Sequence, residues 1–384
     1  MPLHFSTHEF TARRDRTLAA MAAAGLDGLL MFKQESMYHL TGYDSFGFVY
    51  FQCLVLGLDG RFTLLTRAPD LRQARHTSIL DDIRIWQDRA GATPAEDLKD
   101  VLRSRGLAGK RLGIELEAYG LTGRSLRMVD AALDGFCTLE DASSLVDRLR
   151  VVKSPAELGH IRRAAELADQ SWDAAIATTR PGAFEGDILA AMQAAVLRGD
   201  GDLPANDPII GSGAGALLCR YFTGRRHLDP QDQLMLEFAG SYRHYHAAMM
   251  RTICVGRATT RHRELHEACV EALAACQAAL VPGRPIGEVF DAHARVMDAR
   301  GLKAHRLNAC GYSMGATFAP NWMDWPMFFH GNPVPAEPDM AFFLHMILMD
   351  SDSGTAMALG HSVAVTASGC DVLSRSSTDL VVVR

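Results

Sequence analysis

Several features are scarce in this sequence, and each absence excludes a class of protein. The 384 residues include eight cysteines, at positions 53, 137, 219, 254, 269, 276, 310 and 370, but no C-x-x-C pair. Scattered cysteines without paired spacing are typical of a reducing compartment, so we expect a cytoplasmic protein. The apolar runs are far shorter than the roughly 20 residues that a membrane-spanning helix needs.

The charge balance excludes two further kinds of partner. Asp and Glu outnumber Lys and Arg by 45 to 39, which gives a formal net charge of −6. No basic stripe indicates binding to nucleic acid, and no polybasic segment indicates binding to an anionic membrane. The N-terminal segment lacks the apolar stretch and cleavage site of a signal peptide, so we expect none. Hydrophobic residues make up 48% of the chain, which is ordinary for a globular enzyme and leaves enough apolar material for a core.

The first part of the chain has the alternating pattern of an α/β domain. A helix-like stretch covers residues 9–24. Strand-like stretches lie at 27–32, 48–58 and 61–65. The D-G dipeptide before the last of them indicates a hairpin. Helical and strand patterns alternate to about residue 147, and we predict an α/β domain over residues 1–152.

A helix start near residue 154 indicates where a second domain begins. Ser154 is placed to cap the first amides, and Pro155 suits the first helical position, where its missing N–H costs nothing. Glu157 lies three residues after Ser154, which completes a capping box. We predict a helix from here to about residue 179 and a second domain over residues 153–384.

The second domain contains an internal repeat. Residues 181–191 read P-G-A-F-E-G-D-I-L-A-A, and residues 282–292 read P-G-R-P-I-G-E-V-F-D-A. Each copy predicts a Pro-Gly turn followed by a helix with an acidic first turn, and strand-like segments follow each helix. Two similar halves in one domain often enclose a site at their interface.

Five segments together resemble the creatinase and Xaa-Pro dipeptidase superfamily. Residues 36–43, S-M-Y-H-L-T-G-Y, resemble its N-x-x-Y-L-T-G-F segment, and 153–157 resemble its K-S-P-x-E motif. Residues 237–252 stand in the place of D-x-G-A…S-D-x-T-R-T, 311–315 in the place of G-H-G-x-G, and 340–346 in the place of G-M-x-F-T-x-E-P. The resemblance implies an N-terminal creatinase-like α/β domain and a C-terminal duplicated α+β pita-bread domain. It also implies a homodimer in which each N-terminal domain covers the partner's site.

The resemblance implies a dinuclear metal site made of two Asp, one His and two Glu, but this sequence departs from it. The corresponding positions are Glu237, Ala248, Tyr312, His345 and Gly360. Ala and Gly have no ligand atoms, and Tyr is a poor replacement for His. We therefore predict that no dinuclear site forms and that the protein uses no cofactor.

Metal-free members of the superfamily suggest a function. Creatinase cleaves a C–N bond in creatine, and ectoine hydrolases open a cyclic amidine. The sequence resembles ectoine hydrolases most through the runs at 219–226, 242–248 and 349–354. This implies metal-independent hydrolysis of a C–N bond in a small zwitterionic amidine or guanidino compound, with ectoine as first choice. A creatinase-like amidinohydrolase, a metal-dependent Xaa-Pro dipeptidase and a binding module without catalysis are the alternatives.

Three residues are candidates for the chemistry. Glu237 ends an apolar run and would act as nucleophile or general base, although a structural salt bridge is the alternative. His345, in an apolar strand, would donate a proton to the departing nitrogen unless it is a buried structural histidine. His246 and His244 are two apart, so on a strand they would share one face and bind substrate or carry protons. An exposed strand edge is the alternative for this pair.

The remaining candidates bind substrate. Tyr312 supplies a hydroxyl where the family has an imidazole, and His361 lies beside Gly360. Arg220 and Arg251 suit a substrate carboxylate, because a guanidinium binds it in bidentate fashion; structural ion pairs are the alternative. Tyr245, within the run at 242–248, completes this group.

Two other motifs are weaker. G-Y-S-M-G at 311–315 matches the serine-hydrolase elbow G-x-S-x-G, but no strand-turn-helix pattern surrounds it. His262 and His266 have a zinc-ligand spacing, yet the neighbouring glutamates favour a solvated helix face.

Overall fold

The chain separates into two compact units, Met1–Arg150 and Val151–Arg384. A computed structural model describes residues 3–220 and 224–384. Each unit has its own sheet and its own apolar core.

The N-terminal unit is an α/β domain, as predicted. Its helices are α1 Thr7–Ala23, α2 Gln34–Thr41, α3 Leu71–Thr77, α4 Pro94–Ser104, α5 Gly123–Leu133 and α6 Ser143–Arg150. Its strands are β1 Gly28–Met31, β2 Cys53–Gly57, β3 Phe62–Arg67, β4 Ile83–Trp86, β5 Arg111–Ile114 and β6 Thr138–Asp141. They form one mixed sheet in the order β4-β3-β2-β1-β5-β6.

The strand predicted at 48–58 is too long at its start. Gly47–Val49 forms a single 3-10 turn instead, and β2 begins at Cys53. The hydroxyl of Ser45 accepts a hydrogen bond from the Gly47 amide at 2.8 Å. Such a local side-chain bond competes with strand pairing, which explains the later start.

A buried carboxylate closes the start of α2. The N-cap residue Lys33 makes no side-chain cap, and Glu115 supplies the acceptor instead. Its Oε2 accepts from the amides of Phe32 at 2.9 Å and Lys33 at 2.8 Å, and its Oε1 accepts from the hydroxyl of Ser36 at 2.5 Å. Burial raises the pKa of Glu115 to about 7.

The C-terminal unit is a duplicated α+β domain, as the repeat predicts. Its helices are α7 Pro155–Thr178, α8 Glu185–Arg198, α9 Thr260–Ala279 and α10 Gly287–Ala299. Its strands are β7 Ile209–Ser212, β8 Asp232–Tyr242, β9 Tyr245–Val255, β10 Gly311–Ser313, β11 Asp324–Met327, β12 Ala341–Asp350, β13 Thr355–Val365, β14 Cys370–Val372 and β15 Val381–Val383. The main path of the sheet is β11-β10-β12-β13-β9-β8-β7, with β14 on β13 and β15 on β9.

Local sequence signals are confirmed at three helix starts, those of α7, α8 and α10. Ser154 and Glu157 form the predicted capping box of α7. The two Pro-Gly turns have the same geometry, since Gly182 and Gly283 have φ values of 78° and 82°. Their amides donate to the carbonyls of Leu228 and Ala336, each at 2.8 Å. The two halves of the unit therefore repeat one structural motif.

The helices cover one face of the C-terminal sheet. On β8, Leu234, Leu236 and Phe238 belong to the core beside α7 and α8. On β12, Leu344 and Met346 belong to the core beside α9 and α10. Because side chains alternate along a strand, the residues between them point to the opposite face. We call that opposite face the open face.

No helix in the described ranges is long and apolar enough to cross a membrane.

Candidate active site

Glu237 and His345 lie in one line across the open face. The register pairs Glu237 with Met250, Met250 with Gly360, and Gly360 with His345. Directly paired residues point to the same face, so this row spans β8, β9, β13 and β12. Tyr312 on β10 pairs with Phe343, two residues before His345, and points the same way.

The carboxylate of Glu237 is largely buried and accepts a hydrogen bond from Tyr312. The residue keeps some solvent-accessible surface, yet burial is the main reason that its pKa rises to about 7. The Tyr312 hydroxyl donates to Oε1 at 3.3 Å, and together with the positive charge of Arg220 it moderates this rise. A carboxylate that titrates near neutrality and keeps some contact with solvent is suited to exchange protons.

Aromatic rings cluster around Tyr312, which contacts this carboxylate. Tyr312 packs edge-on against Phe343, with ring centroids 5.4 Å apart, and lies 5.7 Å from the ring of His345. The indole N–H of Trp322 donates to the Tyr312 hydroxyl at 2.8 Å. An organic cation would find a carboxylate and several aromatic faces here, and both attract positive charge.

His345 is neutral at physiological pH. Its ring is buried, and burial lowers its pKa to about 3. The Nδ1 atom has no hydrogen-bond partner among the described residues. The imidazole therefore does not hold a proton ready for donation, in contrast to the role predicted from the sequence.

His246 also lies on the open face, but both of its ring nitrogens are engaged. Nε2 accepts from the Ala205 amide at 2.9 Å, so Nδ1 carries the proton and donates to the Thr317 hydroxyl at 3.1 Å. Burial lowers the pKa of His246 to about 3. This arrangement ties two loops together, which is structural rather than the catalytic role predicted for His246.

The prediction that His244 shares a strand with His246 is wrong. β8 ends at Tyr242 and β9 begins at Tyr245, and both residues between them, Arg243 and His244, have positive φ values of 51° and 65°. They form a two-residue hairpin turn, which needs positive φ at both positions. The His244 ring stacks on Phe318, with centroids 4.2 Å apart.

Arg251 and His361 lie on the helix-covered face, away from Glu237. Arg251 pairs with Leu359, and His361 follows Leu359 by two residues, so all three side chains point toward the helices. Arg251 donates through Nη1 to the carbonyls of Met250 at 2.8 Å and Gly360 at 2.5 Å. Their predicted part in substrate binding on the open face is therefore not supported.

The buried environment lowers the pKa of both side chains. Burial lowers the pKa of Arg251 to about 10, and the nearby charge of Asp169 opposes this effect. Burial, and then the charge of Arg251, lowers the pKa of His361 to about 4. His361 Nε2 lies 2.7 Å from the side-chain amide of Gln277 in α9.

Two further predicted binding residues differ in their placement. Tyr245 is buried, and its hydroxyl donates to Glu157 at 2.7 Å, so it anchors α7 instead of contacting substrate. Arg220 is exposed, and its charge acts on both Glu237 and Tyr312. Of the predicted residues, Arg220 is thus the cation that faces the carboxylate.

The side chains at the family's ligand positions do not fit a dinuclear metal centre. Ala248 and Gly360 contribute no ligand atom to the row. A Cβ at Gly360 would lie 2.6 Å from the Leu344 carbonyl oxygen and 3.0 Å from Phe343, so a longer side chain would require the strands to shift. Among the described residues, the one cluster of potential ligands is His305, Asp350 and Asp352, outside this row.

The two weaker motifs carry no chemistry in the structure. Ser313 is fully buried within β10, and its hydroxyl donates to the Ala341 carbonyl at 3.3 Å, unlike the exposed nucleophile of an elbow. His262 completes a capping box with Thr259, whereas His266 contacts the Thr378 carbonyl at 2.8 Å.

Two residues of the site were missed as functional from the sequence. Phe343 could have been found, because it lies two residues before His345 and a strand repeats its face every two residues. Trp322 reaches Tyr312 from a segment outside the strands, where no periodicity applies.

An α/β unit followed by a duplicated α+β unit, with a carboxylate on the open face, is the architecture of pita-bread hydrolases. The model of the family described as "Metallopeptidase family M24" matches residues 159–367 of this chain. The model described as "Creatinase/Prolidase N-terminal domain" matches residues 13–152. The chain belongs to metallopeptidase family M24.

Relatives and solved structures agree with this assignment. The uncharacterized hydrolase/peptidase y4tM of Sinorhizobium fredii is 29% identical over 392 residues, covering 99% of each chain. The ectoine hydrolase of Halomonas elongata is 26% identical over 389 residues, covering 97% of this chain and 96% of its own. The prolidase of Thermococcus sibiricus has the same fold, with a TM-score of 0.88 at 18% identity over 98% of this chain and 100% of its own.

Proposed function

We propose that the protein is a metal-independent hydrolase of a C–N bond in a small zwitterionic amidine or guanidino compound, with ectoine as the first candidate. The observation that carries the proposal is Glu237, a solvent-accessible carboxylate that titrates near neutrality among aromatic rings. It lies in a row that supplies no set of metal ligands. The similarity to the Halomonas elongata ectoine hydrolase supports this substrate.

Binding of the cationic substrate would first alter the protonation state of the Glu237 carboxylate. An amidinium placed against Glu237 favours the ionised form, so binding lowers the pKa from about 7 and prepares the carboxylate to act. Glu237 then takes a proton from water, whose oxygen adds to the amidine carbon, or Glu237 adds to that carbon itself and forms an acyl-enzyme, which water hydrolyses after the C–N bond has broken. Collapse breaks the C–N bond, and the departing nitrogen takes a proton. For ectoine, the net reaction consumes one water and yields an N-acetyl-diaminobutyrate.

Where Glu237 activates water, it holds the proton taken from that water and is also the better source of the proton for the departing nitrogen. With a pKa of about 3, His345 is unprotonated at pH 7, whereas protonated Glu237 has a pKa suited to transfer in both directions. His345 would therefore contact the substrate as a neutral imidazole. Arg220 would bind the substrate carboxylate, since a guanidinium suits this group.

Hydrolysis assays with three substrates test the proposal. The purified protein, treated with chelator, is incubated with ectoine, creatine or an Xaa-Pro dipeptide, and products are followed by proton NMR. We expect ectoine to be opened without added metal. Dipeptide cleavage that requires added manganese would instead establish a metallopeptidase, and cleavage of creatine alone would establish an amidinohydrolase.

A homodimer and a cytoplasmic location are part of the proposal. Three aromatic side chains of the N-terminal unit, Phe46, Tyr50 and Tyr119, are 70%, 53% and 65% exposed, which favours an interface. All eight cysteines are free, which favours a reducing compartment. Light scattering at micromolar concentration should give a dimer, and a fully active monomer would contradict it.

A further inference from the structure

The hydroxyl of Tyr312 has two partners with opposite roles. It accepts from the Trp322 indole N–H at 2.8 Å and donates to Glu237 Oε1 at 3.3 Å. A phenol has one proton, and an indole N–H only donates, so the direction of this chain is fixed. With the Trp322 donor in place, the Tyr312 proton is directed to Glu237.

Trp322 is held firmly enough to set this direction. Its side chain is 1% exposed, and its backbone amide donates to Asn206 Oδ1 at 3.0 Å. Its ring also lies beside His246, with centroids 6.4 Å apart. Because His246 is itself bonded to Ala205 and Thr317, the indole rests against a tied pair of loops.

We propose that Trp322 is a positioning residue, whose indole N–H orients the Tyr312 hydroxyl so that it holds one oxygen of Glu237. The other carboxylate oxygen is thereby left to face water or substrate. The inference rests on the proposed function for its kinetic consequence, although the hydrogen-bonded chain itself does not.

Other groups near the Glu237 carboxylate do not take the place of the hydrogen bonds that link Trp322, Tyr312 and Glu237. The titratable and charged side chains that act on or near Glu237 are Arg220, Cys219, Tyr312 and His345. Arg220 and Cys219 are on the segment before the undescribed residues 221–223, and His345 contacts the Tyr312 ring from β12. The hydrogen bond recorded on Glu237 among the described residues is that of Tyr312.

The hydrogen bond is tested first, without any turnover. The protein has four tryptophans, so four indole N–H signals are expected in a nitrogen-proton NMR spectrum. Trp322→Phe assigns the Trp322 signal by its loss, and we expect Tyr312→Phe to shift that signal. A Trp322 signal that stays in place in Tyr312→Phe would overturn the inference.

The positioning role is tested by kinetics on Trp322→Phe, Tyr312→Phe and the double variant. Each single change should lower kcat by about 5- to 10-fold with KM within about 2-fold, as for loss of one hydrogen bond. The acidic limb of the pH profile of kcat/KM should shift to higher pH by about half a unit. The reason is that the Tyr312 hydrogen bond, which each variant weakens or removes, lowers the pKa of Glu237. In the Tyr312→Phe protein, Trp322→Phe should have no further effect on either quantity.

Trp86→Phe is the matched control. The Trp86 indole donates to the Phe51 carbonyl at 2.9 Å in the N-terminal unit, so this variant also loses one buried indole hydrogen bond. It should lower thermal stability without moving the acidic limb. Equal effects of Trp322→Phe in the presence and absence of the Tyr312 hydroxyl would show a general packing role and overturn the inference.

Failure of the proposed function leaves the inference testable. If no candidate substrate is hydrolysed, the pKa of Glu237 is read from carbon-13 NMR of labelled glutamate carboxyl groups, assigned with Glu237→Gln. Trp322→Phe should raise that pKa as Tyr312→Phe does. An unchanged pKa would reject the positioning role independently of substrate.

Discussion

Glu115 in the N-terminal unit and Glu237 in the C-terminal unit are both buried enough to have a pKa of about 7, yet they differ in how they are bonded. Glu115 accepts three hydrogen bonds and is fully buried. Among the residues that the structure describes, Glu237 accepts one long hydrogen bond, and it keeps some contact with solvent. A raised pKa alone thus does not identify a reactive group; a raised pKa together with access to solvent or substrate is the better indication.

The largest expected difference between the two glutamates is in turnover. Glu237→Gln keeps the size of the side chain but removes its charge and basicity. We expect kcat to fall by at least about 100-fold, the low end for loss of a positioned general base. Glu115→Gln should keep kcat within about 3-fold. A Glu237→Gln protein with the kcat of the parent would move the chemistry to another residue, whereas a rise in KM alone would show that Glu237 only binds the cation.

The second difference is in thermal stability at neutral pH. Glu115→Gln turns an amide N–H₂ toward donors that need an acceptor, and we expect a loss of about 1–3 kcal/mol of unfolding free energy. Glu237→Gln loses only one long bond and should be at least as stable as the parent. Scanning calorimetry of both variants measures this, and a larger loss in Glu237→Gln would mark that residue as structural.

The raised pKa of Glu237 also predicts how stability changes with pH. The folded-state pKa of Glu237, about 7, lies above the ordinary value of 4.5, so the folded protein binds the proton more tightly than the unfolded chain. The resulting stabilisation is complete below pH 4.5 and is lost as pH rises through about 7. A shift of this size corresponds to a ceiling of about 3 kcal/mol, which solvent contact reduces.

Glu237→Gln has no such proton to lose. Its stability advantage over the parent should therefore grow between pH 5 and pH 8, by about 1–2 kcal/mol, in paired unfolding experiments. An advantage that is the same at both ends of this range would mean that Glu237 is ionised throughout.

Local rules predicted the parts of the fold that depend on neighbours in sequence. The α7 capping box needs only Ser154 and Glu157, and the repeat needs only two Pro-Gly turns. The positions of Glu237 and His345 in one row could be predicted from the spacing of the family motifs. These features were available because each depends on a short segment or on a known pattern.

The faces of the strands could not be predicted in the same way. A strand through His244 and His246, which the sequence predicts, misses the turn at Arg243 and His244. The position of that turn sets the β8–β9 register, and a shift of one residue moves every side chain of a strand to the other face. Arg251 therefore points toward the helices. Its partner on β13 is Leu359, and because side chains alternate along a strand, His361, two residues later, points the same way.

The most direct test of the account is the pH dependence of kcat/KM for ectoine hydrolysis by chelator-treated protein, measured from pH 5.5 to 8.5. Because the reaction needs ionised Glu237, we predict that kcat/KM rises with pH through about 7 and then levels off, with no change on adding manganese, cobalt or zinc. Activity that is absent after chelation and returns only with one of these metals would contradict the account.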